Sequence, residues 1–427
     1  MTPEKLANRL RRLTPGPQNA ITLPLGDPEL IQLRALDLTL EEAARDFLIF
    51  FPELRGEVDE FFRVYGEALQ DLRDAPAFHR LGGLSDFGIK SDPRRDVHWK
   101  SYLGLHSEQV ASATYLHSRR MHSEAVAAHV LLAGLWMKLS LRQVAILVFA
   151  ALLHDVGHPA FSHDGDRFAE DMGYASHEVR GQRLVESDPD LTESILAAGL
   201  TVAEVVAVMR EVGDLGQILK VMDTLAYVVM DSAVVGDPLS ESFSSWVIRS
   251  LTGVREERLQ VSRIDGLSAL LDIRARLSRD IYYHPRNLFV AEALLFGFKK
   301  LCELRYLEAS EVVMGSDGSI EARLSAVLNG KPMPEYVKRS FNLAHGFMQE
   351  LAHLKLRDFD TKLEFEAAWA KLAPEEVERA FSIEPYNYIK KSLEVSDPKG
   401  KIVKLQADRS FLSAESQKWY LLVWKED

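Results

Sequence analysis

Every residue from Val144 to Leu153 (VAILVFAALL) is apolar, and the run ends abruptly in His154-Asp155. A segment that is apolar all round has no face to offer water, so it must be a helix enclosed by other helices. It falls short of the ~18 uninterrupted apolar residues of a membrane span, as does every other stretch of the chain. The neighbouring segments are built in the same way: HSEAVAAHVLLAGLWMKL precedes it, and TVAEVVAVMREV and QILKVMDTLAYVVMDSAVV follow it. These are long, rich in Ala, Leu and Val, and low in Gly and Pro, as buried helices are. A mostly α fold with a helical core is expected, its strongest signal lying between about residues 120 and 235.

With 427 residues the chain is long enough for two or three packed units. We expect a helical N-terminal extension over 1–75, where amphipathic pieces such as EEAARDFLIFF alternate with turn signals at Pro15-Gly16-Pro17 and Gly26-Asp27-Pro28. The core is expected over 76–306, and a C-terminal α+β region over 307–427. There the alternating KGKIVKLQADRSF and the aromatic QKWYLLVWKED predict a small terminal sheet. The formal charge of -12 argues against a surface made to grip nucleic acid. Cys302 is the only cysteine, so no internal disulfide, Cys-rich zinc site or redox pair can form. With no apolar stretch behind the charges of MTPEKLANRLRRL, a cytoplasmic location without a membrane partner is expected.

Seven of the 13 histidines fall within residues 117–177, where a proportional share would be roughly two. His154 and Asp155 emerge where the apolar helix leaves the core, and a carboxylate left unpaired there would be costly. A metal ion removes that cost. His122, at the start of the preceding helix, returns close to residue 154 if the two helices are antiparallel. A fourth ligand can come from Asp223, which shares a helix face with Tyr227 and Asp231 at intervals of four. The alternative for these acids is a buried network with arginines; for Asp223 metal is the preferred reading. Between the helices lies VGHPAFSHDGDRF, where Gly157, Pro159 and Gly165 break regular structure while His158, His163, Asp164 and Asp166 crowd together, as in a site loop.

The order His122 … His154-Asp155 … Asp223 resembles the H…HD…D signature of the HD superfamily of metal-dependent phosphohydrolases. The likeness extends to RRMHS, to LLHDVGHPAFSHDGDRF and to His177-Glu178, a pattern similar to the deoxynucleoside-triphosphate triphosphohydrolase branch, the dGTPase-like and SAMHD-like enzymes. APAFHRLGGLSDFG and RARLSRDIYYH resemble further segments of that branch. The resemblance implies an HD-domain helical core, a divalent metal ion (Mn, Fe, Mg, Co, Ni or Zn) on His122, His154, Asp155 and Asp223, and a nucleotide substrate. It implies acid/base roles for His158, His163, Asp166 and His177. Arg119 and Arg274 would face phosphate, and Tyr227, Asp231 and Tyr282 would line a nucleoside pocket. It further implies a homo-oligomer.

The chain departs from that branch in having Asp86-Phe87 where a Gln-Leu pair is usual and Thr224 where a Lys commonly follows the last metal Asp. Two other functions therefore stand beside a triphosphohydrolase: a nucleotide-binding regulatory protein, and a phosphodiesterase or nucleotidase. Arg94, Arg95 and Lys100 could restore the missing charge, although a solvated loop is the simpler account of them. His129 is expected to be a core histidine and His117 a loop histidine. His284 matches a Tyr-x-His element of the branch, and the terminal KWYLLVW is expected to be core.

Overall fold

Serine hydroxyls start the two helices on which the fold is built. The computed structural model describes residues 39–85, 117–234, 239–240, 242–283, 285–344, 348–385, 392–407 and 418–425. Two helices, the short α1 (Leu40–Phe47) and the longer α2 (Arg55–Asp74), precede α3 (Arg119–Trp136) and α4 (Leu141–Leu153). Ser118 caps α3 by accepting from Met121 N–H, and Ser140 forms a reciprocal capping box with Gln143 at α4. Val144 to Leu153 are all buried. The apolar run is walled in by α2, α3, α8 (Val202–Met209) and α9 (Gly213–Val234). Between α4 and α8 lie α5 (Ser162–Asp171), α6 (His177–Ser187) and α7 (Pro189–Ala197).

Residues 40–84 share one apolar core with these helices. The buried Glu124 of α3 ties them in: its Oε2 accepts from Leu40 N–H at 2.8 Å and its Oε1 from Arg73 Nε at 2.7 Å. Among the described residues no single helix is long and apolar enough to cross a membrane.

Beyond α9, α10 (Ser242–Ser250) leads into a hairpin of β1 (Leu251–Arg255) and β2 (Arg258–Val261), then α11 (Asp265–Leu277), a π-helical turn at Ser278–Tyr282, and α12 (Pro285–Glu303). After α13 (Ala309–Met314), α14 (Asp317–Gly330) and α15 (Glu335–Ala344) come β3 (Leu354–Phe359), α16 (Lys362–Trp369), β4 (Ala380–Ile383), β5 (Ser392–Ser396), β6 (Ile402–Gln406) and β7 (Trp419–Trp424). The expected terminal strands therefore divide between two sheets. In β1-β2-β5-β6 the hairpin meets β5 in parallel; β3-β7-β4 is antiparallel throughout, with Leu354 opposite Trp424 and Ile383 opposite Tyr420. Strand alternation sorts β7: Tyr420, Leu422 and Trp424 pack with Phe289, Ala293 and Phe296 of α12, while Leu421 and Val423 pack with Phe365 and Ala368 of α16. The terminal aromatic segment is core, as expected.

His129 is a core histidine too. Its Nδ1 bonds the Ala125 carbonyl at 2.7 Å and its Nε2 bonds Ser244 Oγ at 2.9 Å, joining α3 to α10. Burial pushes its pKa down to about 4. Because the folded value is depressed below the unfolded one near 6.5, this stabilisation is present above pH 6.5 and is lost as pH falls through 4. About 3 kcal/mol is at stake over that window. In urea titrations from pH 7.5 to pH 4, the stability advantage of the native chain over His129→Leu should shrink by about that amount; an advantage independent of pH would contradict it.

Candidate metal centre

The predicted ligands converge. His122 stands in the first turn of α3, His154 caps the C-terminus of α4 with Asp155 next to it, and Asp223 projects from the middle of α9. His122 Nε2 lies 3.0 Å from Asp223 Oδ1 and 3.8 Å from Asp155 Oδ2; His154 Nε2 lies 3.6 Å from Asp223 Oδ1 and 3.5 Å from Asp155 Oδ1. Ligand atoms of His122, His154 and Asp223 fall within 4.8 Å of one another.

Two observations fit a cation to this centre. His154 Nδ1 donates to the Ala151 carbonyl at 2.7 Å, which leaves the lone pair on Nε2, a buried atom with no hydrogen-bond partner. The charge balance also asks for a positive ion. Burial opposes a charge on His154, yet the Asp155 and Asp223 carboxylates override it and lift its pKa to about 9, so the two acids hold a positive charge at Nε2, either a proton or the cation that replaces it. Imidazole nitrogen with carboxylate oxygen is the donor set of first-row divalent ions. Arg119 is buried against the same centre, with Nη1 donating to Asp155 Oδ2 at 2.7 Å and Nε to Ser162 Oγ at 3.0 Å.

Beside the metal centre lies a second group. His158 is fully buried, its Nε2 3.3 Å from Asp155 Oδ1, and its ring stacks on His177 at 3.8 Å between centroids. His163 is exposed and meets both rings edge-on. His177 Nδ1 donates to Asp166 Oδ2 at 2.7 Å, and Arg180 Nη2 donates to Asp166 Oδ1 at 2.7 Å. Burial works to raise the Asp166 pKa, but the His177 hydrogen bond and Arg180 hold it below the usual carboxylate value. Burial, with Arg119 and His177 close by, holds His158 well below the usual imidazole value, so its ring is neutral. Donor atoms of His158, His163 and His177 are close enough to share an ion. Their geometry suits proton handling better: imidazole lone pairs lie in the ring plane, and the His158 and His177 planes are within 20° of parallel, so they aim past each other.

On the face of α9 that carries Asp223, Tyr227 and Asp231 follow at one-turn intervals, and both meet α11 or the π-helical turn. Arg274 Nε donates to Tyr227 Oη at 2.5 Å, and Tyr282 Oη donates to Asp231 Oδ2. The Tyr227 and Tyr282 rings meet edge to face at 6.4 Å. Burial raises the Tyr227 phenol to about 12, so it stays protonated. His117, expected in a loop, is buried with Nε2 3.1 Å from Asp231 Oδ1. Asp86, Phe87, Arg94, Arg95, Lys100 and His284 lie outside the described residues.

Sequence reasoning missed the arginines that hold the site loop. Arg80 Nη2 donates to the carbonyls of Val156 and His158 at 2.8 and 2.7 Å, and Arg180 Nη2 donates to the carbonyl of Gly157 at 3.1 Å. Arg180 had a signal: it follows His177 by three residues, so a helix places both on one face. Arg80 had none, because its partners are backbone atoms.

Residues 105–228 match the HD domain family model. The chain carries an HD domain. The match takes in His122, His154, Asp155, Asp223 and the group from His158 to His177, and it stops before Asp231, Arg274 and Tyr282. Outside the HD domain the fold has company as well. A phosphohydrolase from Bacteroides thetaiotaomicron is similar at 17% identity with a TM-score of 0.59, over 84% of this chain and 96% of that one. A hypothetical protein from Aquifex aeolicus is similar at 17% identity with a TM-score of 0.57, over 84% and 92%. At such identity the likeness is one of fold. No curated protein matches the chain.

Proposed function

We propose that the chain is a metal-dependent phosphohydrolase acting on nucleotides, with a deoxynucleoside triphosphate as substrate and deoxynucleoside plus triphosphate as products. The observation that carries this reading is the adjacency of two devices: a converging His122, His154 and Asp223 donor set with the Asp155 carboxylate alongside, and the His177–Asp166 pair beside it. A divalent ion held by the donor set would polarise phosphate oxygens and lower the pKa of water. The protein's own residues do the rest. Arg119 keeps Asp155 oriented. Asp166, itself held by Arg180, fixes the His177 proton on Nδ1 and leaves Nε2 to take or give a proton. Tyr227, Asp231, Arg274 and Tyr282 offer a polar, aromatic wall on the Asp223 side, suited to a sugar and base.

The test is a nucleotide panel with Mn, Mg, Fe and Co each supplied and the products weighed by mass spectrometry. Triphosphate release supports the reading; monophosphate or pyrophosphate would move the chain to another phosphate ester. His177→Ala should lower kcat by about 10²–10⁴-fold with metal content unchanged, and turnover at the native rate would remove His177 from the chemistry.

One observation favours a second reading, a nucleotide-binding regulatory protein. Thr224 is buried and its hydroxyl donates to the Lys220 carbonyl of its own helix, so that position presents no cation to a phosphate chain. Binding without turnover, seen as a ligand-dependent rise in Tm, would support it.

A further inference from the structure

The turn that leads from His158 into α5 is held in a conformation its residues do not favour. Phe161 and Ser162 are consecutive non-glycine residues with φ of 62° and 51°, a left-handed region that residues with a side chain disfavour. Such a pair persists where its surroundings over-determine it. Here the surroundings come from far along the chain. Asp317, the first residue of α14, accepts from Phe161 N–H at 2.7 Å through Oδ1 and from Ser85 N–H at 2.9 Å through Oδ2. The Ser85 carbonyl accepts from Ser162 Oγ at 2.5 Å, and Ser162 Oγ accepts from Arg119 Nε at 3.0 Å. Arg119 Nη1 then donates to Asp155 Oδ2 at 2.7 Å. An unbroken line of hydrogen bonds thus runs from Asp317 to a carboxylate of the metal centre.

We propose that Asp317 is a positioning residue for that centre: it pins Ser85 and the Phe161–Ser162 turn and, through Ser162 and Arg119, sets the orientation of Asp155. Burial lifts the Asp317 carboxyl to about 6, against the pull of its two N–H donors, so the residue is held at a position that disfavours its charge. The chemistry agrees with what outer partners of metal ligands do elsewhere, namely fix the direction of a ligand's lone pairs. The proposal rests on reading His122, His154, Asp155 and Asp223 as a divalent-metal site and on no particular substrate.

The experiment is titration of Mn²⁺ into the chelator-stripped full chain. Asp317→Ala should weaken binding about tenfold, the lower end of what outer partners contribute, and Asp317→Asn, which keeps one acceptor, should fall between it and the native chain. Ser162→Ala should weaken binding as well, and the double variant should be no weaker than the more damaging single one, because both cut the same line. A purely structural role for Asp317 would lower Tm and leave the Mn²⁺ Kd alone. A Kd within twofold of the native value in a folded Asp317→Ala, or in Asp317→Asn if the alanine variant does not fold, would overturn the proposal, as would losses that simply add. A native chain that takes up no Mn²⁺ would fail differently, by removing the metal site itself.

Discussion

Replacing His154 by alanine is expected to empty the metal centre while leaving the fold in place. His154 supplies the only donor from the end of α4 whose lone pair has no protein hydrogen-bond partner, since Nδ1 is committed to Ala151 and Nε2 is buried and unpaired. Removing it leaves Asp155 and Asp223 without the imidazole that lies 3.5 and 3.6 Å from them. Outer partners of metal ligands are worth about 10–100-fold in affinity, so loss of a direct ligand should weaken Mn²⁺ binding by at least about a hundredfold, and hydrolysis should fall at least as far. The checks are metal content after gel filtration, helical circular dichroism and turnover on the nucleotide panel. Full turnover in a folded, metal-depleted His154→Ala would sink the proposed function, because no step could then depend on the ion.

The second large effect acts through backbone packing. A Cβ added at Gly157 would lie 2.1 Å from the His177 carbonyl oxygen and 2.3 Å from Gly181 N. Both contacts are backbone atoms of α6, so no side chain can swing aside, and either the loop or the helix must move. His177 stands in the first turn of that helix, stacked on His158, so the shift would also part the proton-handling pair. Gly157→Ala should therefore cost about 3 kcal/mol or more in urea unfolding, at or beyond the upper end of ordinary overpacking, and should lower activity even in the folded fraction. Gly66→Ala is the control: it lies inside α2 with open space around the position, and alanine there should be neutral or stabilise the chain by about 0.5–1 kcal/mol. Equal effects at the two positions would show that close approach is not what the glycine at 157 provides.

How much of the site could be read in advance depended on how far apart in the chain its partners lie. Asp223, Tyr227 and Asp231 were grouped correctly on one face because helical periodicity is local. His154 and Asp155 declared themselves because polar groups at the end of an apolar run need a partner. His117 does stand in a loop, just before α3, but its burial went unread, because its partner, Asp231, lies on α9 and nothing near His117 in the chain announces a buried acid. The β1–β2 hairpin was also missed. Its pairing with β5 is parallel and long-range, and two short strands with mixed burial carry little periodic signal.

Three things were determined by the sequence alone. The apolar run from Val144 to Leu153 dictated an enclosed helix, the surrounding Ala- and Leu-rich segments a helical core, and the His-Asp ending a site at its exit. Each rests on local periodicity and on the cost of stranding a polar group in an apolar surround. Only the tertiary structure decided what holds that site. Arg80, Arg180 and Asp317 grip backbone atoms of the 156–162 loop, and backbone partners leave no trace in side-chain pattern. Arg119 was anticipated beside phosphate, and the fold sets it against Asp155 and Ser162, a placement that depends on how α3 meets the end of α4.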